Sequence, residues 1–103
     1  SGNIQSTAIT VPSTSKIGAV ITYEDTVGTN ALNTDLSIQL SADNGSNYTT
    51  ATLTALPDFA SGVKCASVTD VSVTAGTQLK YKLLFANQSG SKECRVTGVS
   101  LQY

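Results

Sequence analysis

Histidine is absent from the 103-residue sequence, and so are tryptophan and methionine. Without histidine, no Ser-His-Asp or Cys-His pair can form, and no imidazole is available as a metal ligand or as a base near pH 7. Without tryptophan, the chain also lacks the largest aromatic platform on which a sugar ring can stack. Hydrolysis by a histidine-containing triad is therefore excluded.

Charge is sparse as well, since 13% of the residues are charged and the formal net charge is -1. A chain with so weak a field has no basic face to attract nucleic acid or an anionic membrane surface. Its longest apolar runs are about four residues, whereas a membrane-spanning helix needs about 20. We therefore expect neither nucleic acid nor a membrane as a partner. Because methionine is missing and the chain opens with Ser-Gly, we expect residues 1–103 to be a fragment of a longer protein.

Apolar side chains recur at every second position, which is the period of a β-strand. Serine and threonine supply about a quarter of the residues, and Val, Ile and Thr together are typical of strands. The three clearest strands have these residues on their inward faces: Ile17, Ala19, Ile21 and Tyr23; Leu36, Ile38, Leu40 and Ala42; Leu79, Tyr81, Leu83 and Phe85.

Four weaker strands are predicted at about residues 4–11, 48–56, 63–73 and 94–103, between clusters of Gly, Asn, Pro and Ser. The last of these changes parity, because Cys94 and Val96 share one face while Val99 and Leu101 occupy the other. A β-bulge at Gly98 would correct this change. About seven strands in a chain of this length predict one all-β domain over residues 1–103, an antiparallel β-sandwich of jelly-roll or Ig-like type.

The octet SADNGSNY, residues 41–48, is typical of a hairpin turn between two strands. Asp43 can accept backbone N–H groups farther along the loop, and Asn44 and Gly45 tolerate positive φ. We expect Tyr48 to pack back across the hairpin. The spacing Ser-x-Asp-x-Gly-x-x-aromatic resembles the Asp-box of sialidases and other β-proteins, where it is a structural turn.

Calcium binding is the alternative interpretation of this octet. An EF-hand loop has Gly at its sixth position and Glu at its twelfth, whereas DNGSNYTTATLT has Gly at the third and Thr at the twelfth. The pattern favours a structural turn, and we expect no metal and no cofactor.

The acidic residues are expected at strand ends or on outward faces, where carboxylates are solvated. They are Glu24, Asp25, Asp35, Asp43, Asp58, Asp70 and Glu93. Solvated carboxylates are not tuned to act as a base or as a glycosidase pair, so we expect no enzymatic activity.

The two cysteines are too far apart in sequence for a Cys-x-x-Cys metal site. Cys65 alternates with Val63, and Cys94 with Val96, so both thiols are expected to face inward from different strands. They form either a disulfide that closes a loop of about 30 residues or two separate buried thiols, and the sequence does not decide between these.

The segments LNTDLSIQLSADNGSNYTTATL and VSVTAGTQLKYKLLFANQSGSKECRVTGVSLQY resemble the small β-sandwich domains of tail-fibre and other structural proteins of tailed bacteriophages. The resemblance covers nearly the whole chain. The matching positions are 32–35, 43–45, Tyr48, 76–81 and Tyr103. The departures are Asn44 and Asn47 in the hairpin, Tyr48 where those domains usually have tryptophan, and the two cysteines.

The resemblance implies a non-enzymatic structural or interaction module of a virion appendage, extracellular when mature. Its implied partners are other virion proteins and a host-surface glycan or receptor, with homo-oligomerisation of the parent protein a further expectation. A carbohydrate-binding module of a secreted enzyme and a capsid decoration protein are the alternatives. For glycan contact we single out Tyr23 and Phe59, the aromatic residues nearest to predicted strand ends and loops.

Overall fold

The computed structural model describes residues 2–103, and these residues form seven antiparallel strands and no helix. The strands are β1 (Gly2–Gln5), β2 (Ile9–Val27), β3 (Leu36–Ser41), β4 (Thr49–Ala51), β5 (Thr54–Ala60), β6 (Val63–Phe85) and β7 (Glu93–Gln102). Within this range there is accordingly no helix of the length and hydropathy needed to cross a bilayer.

The strands build two layers that share the long strand β6. Residues 80–85 of β6 pair with β3 on one side, residues 82–85 pair with β1 on the other, and β4 flanks β3. The preceding part of β6 pairs with β2 over residues 64–79 and with β5 over residues 63–67, and β7 flanks β2. Because the inward side chains of both layers belong to one hydrophobic cluster, the layers face each other across a single core. The expected all-β antiparallel sandwich of about seven strands is confirmed.

The core contains the residues that the period-two alternation predicts. Ile38 pairs with Leu83 across β3 and β6, and their side chains are 0% and 2% exposed. The alternating residues of β2 face them from the second layer. The predicted inward residues that are buried are Ile17, Ala19, Ile21, Tyr23, Leu36, Ile38, Leu40, Ala42, Leu79 and Leu83, and Tyr81 and Phe85 pack partly buried against them.

Two of the weaker predicted strands are each interrupted once, because a side chain takes over a backbone hydrogen bond. The strand predicted at 4–11 breaks after β1, where the Ser6 hydroxyl accepts the Tyr81 N–H at 2.9 Å. The strand predicted at 48–56 breaks between β4 and β5, where the Asn33 side chain accepts the Leu53 N–H at 2.7 Å and donates to the Leu53 carbonyl at 3.0 Å. The predicted strand count is therefore right while these boundaries are wrong.

Two other predicted strands, at 63–73 and 79–85, are one continuous strand of 23 residues. Gly76 lets the backbone at Ala42 approach the middle of β6, since a Cβ there would collide with the Ala42 carbonyl oxygen. The same carbonyl accepts the Gln78 N–H at 3.0 Å, which ties the loop after β3 to the middle of β6.

The predicted bulge near Gly98 is confirmed. Thr22 of β2 pairs with Gly98, and the next residue, Tyr23, pairs with Val96, so Thr97 has no opposite residue. The Thr97 hydroxyl lies 2.9 Å from the Thr22 hydroxyl and donates to the Thr22 carbonyl at 3.2 Å. This extra residue shifts the alternation, so that Val96 and Val99 both pack against the core.

Replacing Ile38 or Leu83 by alanine should lower the free energy of unfolding by about 2 to 5 kcal/mol, because each removes buried methyl groups and leaves a cavity. Ile9→Ala is the matched control, since the Ile9 side chain is 52% exposed and should cost much less. Equilibrium denaturation of the three variants measures the difference. Equal costs at Ile38 and Ile9 would contradict the assignment of the core.

Candidate functional site

Asp43 is held at the centre of the turn in SADNGSNY. Its carboxylate accepts the Asn47 N–H at 2.9 Å, the Asn47 side-chain amide at 2.7 Å and the Ser41 hydroxyl at 2.7 Å. The Ser41 oxygen in turn accepts the N–H groups of Asp43 and Gly45. These hydrogen bonds, led by that of the Asn47 side chain, lower the pKa of Asp43. The carboxylate is thus engaged by the loop that it organises.

Positive φ angles at Asn44 (62°) and Gly45 (82°) complete the reversal. Tyr48 lies over the turn, with its hydroxyl 3.2 Å from the position that a Cβ on Gly45 would take. The Lys82 ammonium lies 4.5 Å from the centre of the Tyr48 ring, within the range of a cation–π contact. Tyr48 therefore joins the hairpin to β6, although its buried hydroxyl has no hydrogen-bond partner within residues 2–103.

Asp35 corrects the expectation that the acids are solvated, since it is 2% exposed. Its carboxylate accepts the Ala31 N–H at 2.8 Å, the Asn87 side-chain amide at 2.8 Å and the Lys92 ammonium at 3.0 Å. These donors, with the Ala31 N–H first, lower the pKa of Asp35 to about 2. The strand alternation places Asp35 away from the core, but it takes no account of the 86–92 loop that folds over this residue.

The same end of the sandwich holds a second buried polar side chain, the amide of Asn30, which is 5% exposed. Its side chain donates to Asp25 at 2.8 Å and to the Glu93 carbonyl at 3.0 Å, and it accepts the Gln88 side chain at 2.8 Å. Gln88 also accepts the Cys94 N–H at 2.9 Å. These polar groups hydrogen-bond to one another, so the cluster closes this end of the fold. Its side chains are therefore engaged and are not arranged to bind a metal ion or a ligand.

The two cysteines are free thiols in the structure. Cys65 pairs with Thr22 on one side of β2, and Cys94 pairs with Asp25 on the other. Strands that flank a common neighbour lie about 10 Å apart, beyond the Cα separation of about 4.4–6.8 Å that a disulfide needs. Of the two alternatives, the structure contains separate thiols.

The expectation that both thiols face inward is wrong for Cys65. The core residues of this part of β6 are Ala66 and Val68, so Cys65 points to the opposite face, where it is nevertheless buried. Cys94 does pack against the core, and burial, with a smaller effect of Asp25, raises its pKa to about 11. The Cys94 thiol is therefore protonated at neutral pH and a weak nucleophile.

The two aromatic residues singled out for glycan contact differ sharply in exposure. Tyr23 is 5% exposed and belongs to the core, so the expectation that it binds a ligand from solvent is corrected. Burial is also the main cause that raises its pKa. Phe59 is 75% exposed, just before the reversal at Gly62 that joins β5 to β6. Of the two, only Phe59 is placed to contact a partner.

An open cleft of about 350 Å³ lies where β2, β6 and the end of β7 meet. Its polar lining comprises Thr14, Lys16, Thr69, Asp70, Gln102 and the exposed Tyr103, and the lining also includes Ile17 and Gly18. The Thr14 hydroxyl donates to the Lys16 carbonyl at 2.8 Å and so fixes the β2 rim. Among residues 2–103, the ion pairs are Lys92–Asp35 and Arg95–Glu24, so Lys16 and Asp70 are not paired with each other.

A bulge in β6 positions Asp70 in this cleft. Ile17 pairs with Val71 and Ala19 with Val68, so Thr69 and Asp70 together oppose Gly18. Asp70 adopts a φ of 51°. Asp70 is not singled out as a functional residue by the sequence patterns. The spacing of Val68 and Val71 could have indicated a bulge here, because a regular strand cannot turn two residues three positions apart to the same face. In the structure both pack against the core.

A second cleft, of about 210 Å³, separates β1 from β7 along one side of the sandwich. It is mainly apolar and includes Ile4, which is 54% exposed, together with Val96 and Val99. In the part of the chain that the structure describes, no group of three or more acidic or cysteine side chains is placed to hold a metal ion.

Asp43→Ala should lower the melting temperature, because the backbone and side-chain donors of Asn47 lose their acceptor. Asp43→Asn should lower it less, since an amide oxygen can still accept one of them. Gly45→Val should cost about 1 to 2 kcal/mol or more, because a β-branched residue is strained at positive φ.

The melting temperature of the parent and that of each variant should be the same with millimolar calcium or with a chelator. A rise in the parent's melting temperature with calcium that Asp43→Ala abolishes would identify a metal site instead.

Stability should fall as the pH is lowered from about 4 towards 2. The pKa of Asp35 is about 2 in the folded chain and about 3.9 when unfolded, so the unfolded state binds more protons in this window and acid favours it. Melts between pH 2 and pH 7 should show that Asp35→Asn is less stable at pH 7 and less dependent on pH. Asp58→Asn, at an exposed site, is the control. An unchanged acid slope in Asp35→Asn would refute this role.

Comparison of the chain with protein-family models, curated proteins and solved structures finds no match in any of the three. The resemblance to phage tail-fibre domains therefore stays an expectation from the sequence motifs, and the function is inferred from those motifs and from the surfaces described above.

Proposed function

We propose that this chain is a non-enzymatic interaction module of an extracellular virion appendage, such as a phage tail fibre, and that it contacts a glycan or receptor on the host surface. Its partners within the virion are other structural proteins. The sequence motifs that resemble tail-fibre domains, and a sandwich fold suited to spacing and display, support this role.

The observation that carries the proposal is a contrast between two sets of charged side chains: those that are hydrogen-bonded within the fold, and those that border an open cleft without an ion pair. Asp35 and Asp43, the two carboxylates with the most hydrogen bonds, are each bound by three protein donors and so serve the fold. Lys16 and Asp70 are instead free of ion pairs within residues 2–103 and border an open cleft beside Tyr103. Such a division favours recognition at a surface over chemistry in an enclosed site.

A carbohydrate-binding module of a secreted enzyme is the second candidate. Exposed aromatic rings favour it, since Phe59 is 75% and Tyr103 is 67% exposed, and such rings can provide an apolar face for a sugar. The two candidates differ in the surface they recognise: bacterial envelopes for a tail-fibre module, and the polysaccharide substrate of the parent enzyme for a carbohydrate-binding module.

The biotinylated chain, tetramerised on streptavidin to raise its avidity, should bind to a subset of a panel of Gram-negative and Gram-positive bacteria. Flow cytometry measures this binding. Treating the cells with periodate or with proteinase then shows whether the receptor is a glycan or a protein. The same preparation, incubated with isolated envelope polysaccharides, should release no reducing ends.

Binding to cellulose, xylan or chitin without binding to any cell would favour the carbohydrate-binding module. Release of reducing ends that persists through independent purifications would contradict the non-enzymatic proposal. Failure to bind any cell or any polysaccharide would contradict the interaction role itself.

A further inference from the structure

We propose that the cleft bordered by Lys16, Asp70, Gln102 and Tyr103 is a binding site for a neutral, hydroxyl-rich ligand, that is, a saccharide. The inference rests on the proposed interaction function and assigns the contact to one site. In this arrangement Asp70 accepts ligand hydroxyl groups, Lys16 donates to them, and the exposed ring of Tyr103 covers an apolar face of the sugar.

The backbone at Asp70 gives the first argument. A residue other than glycine at a φ of 51° is uncommon, and asparagine or glycine would meet the same conformational demand without a charge. Neither of the ion pairs within residues 2–103 involves Asp70, and its side chain makes no hydrogen bond there either, in contrast to Asp35 and Asp43. The bulge thus presents to solvent a carboxylate that the fold itself does not use.

The combination of donors and acceptors selects the ligand class. The Lys16 ammonium can only donate and the ionised Asp70 carboxylate can only accept, whereas the Gln102 amide does both. A simple anion would bind Lys16 but be repelled by Asp70. A cation would bind Asp70 but be repelled by Lys16. A neutral ligand with several hydroxyl groups satisfies all three, because each hydroxyl both donates and accepts.

The shape of the cleft agrees with such a ligand. Its volume of about 350 Å³ lies near the lower end of the range of roughly 300 to 1,000 Å³ for small-molecule sites. Tyr103 stands at the rim with 67% of its surface exposed, so its ring is available for stacking. Gly18, which also lines the cleft, has no side chain, and a Cβ there would lie 3.1 Å from both the Gln102 side chain and the Val68 carbonyl.

The test is an NMR titration of the isotope-labelled chain with monosaccharides and disaccharides found in bacterial envelopes. Saccharide binding should shift the backbone resonances of residues 69–71 and 102–103. Asp70→Asn, which keeps a residue that tolerates positive φ, and Tyr103→Ala should each weaken the affinity by about tenfold or more. The matched controls are Asp58→Asn and Ile9→Ala, an acid and an apolar residue on exposed positions outside the cleft, and they should bind like the parent.

The inference would be overturned if no saccharide shifted the resonances of the cleft residues. It would also be overturned if the variant Phe59→Ala lost affinity while Asp70→Asn and Tyr103→Ala kept it. A third contrary outcome is that inorganic phosphate or calcium shifts the same resonances as strongly as a sugar does. Binding to cells through a protein receptor or through Phe59 would leave the proposed interaction role standing and remove this site. The melting temperature of each variant, measured alongside, separates loss of the site from loss of the fold.

Discussion

Strand β6 is the element on which the rest of the structure depends, because four other strands hydrogen-bond to it. At 23 residues it is far longer than most strands, which rarely exceed about 10. Its first part faces the core through Ala66 and Val68, and its last part through Leu79 and Leu83. These two pairs differ in parity, so a regular strand would turn one of them outward.

The bulge at Thr69 and Asp70 accounts for this change of parity. By placing two residues opposite Gly18, it moves the inward face from even to odd positions, and Val71 then packs against the core. The same backbone distortion aligns the cores of the two layers and places Asp70 at the open cleft. The geometry of the cleft is therefore fixed by the packing of the sandwich and does not depend on a mobile loop.

Much of the fold follows from the sequence because alternation reports directly on side-chain direction. The inward residues of β2 and β3, and the bulge beside Gly98, could be predicted in this way. The breaks at Ser6 and Leu53 could not, since each depends on a side chain from a distant segment or on a hydroxyl that replaces a backbone acceptor. Local alternation carries no information about such partners.

The candidate site was harder to predict for the same reason. The alternation predicts an outward, solvated carboxylate at Asp35, whereas in the structure the 86–92 loop folds over it and Lys92 pairs with it. The alternation with Val63 predicts an inward Cys65, but both residues lie on the face opposite to Ala66 and Val68, which are the residues in the core. Asp70 required counting parity across the whole of β6, and Tyr103 becomes part of the cleft only when β7 pairs with β2.

The pairing of β6 with strands on both sides of it also sets the order in which the chain can fold during synthesis. Gly2 of β1 pairs with Phe85, so β1 has no partner until the end of β6 has been made. At about 5 to 20 residues per second, this interval lasts roughly 4 to 17 s. Strand β2 waits for most of that time with a row of apolar side chains unpaired. Its own Lys16, Glu24 and Asp25, together with Pro12, are the residues on that strand that discourage pairing with another chain in the meantime.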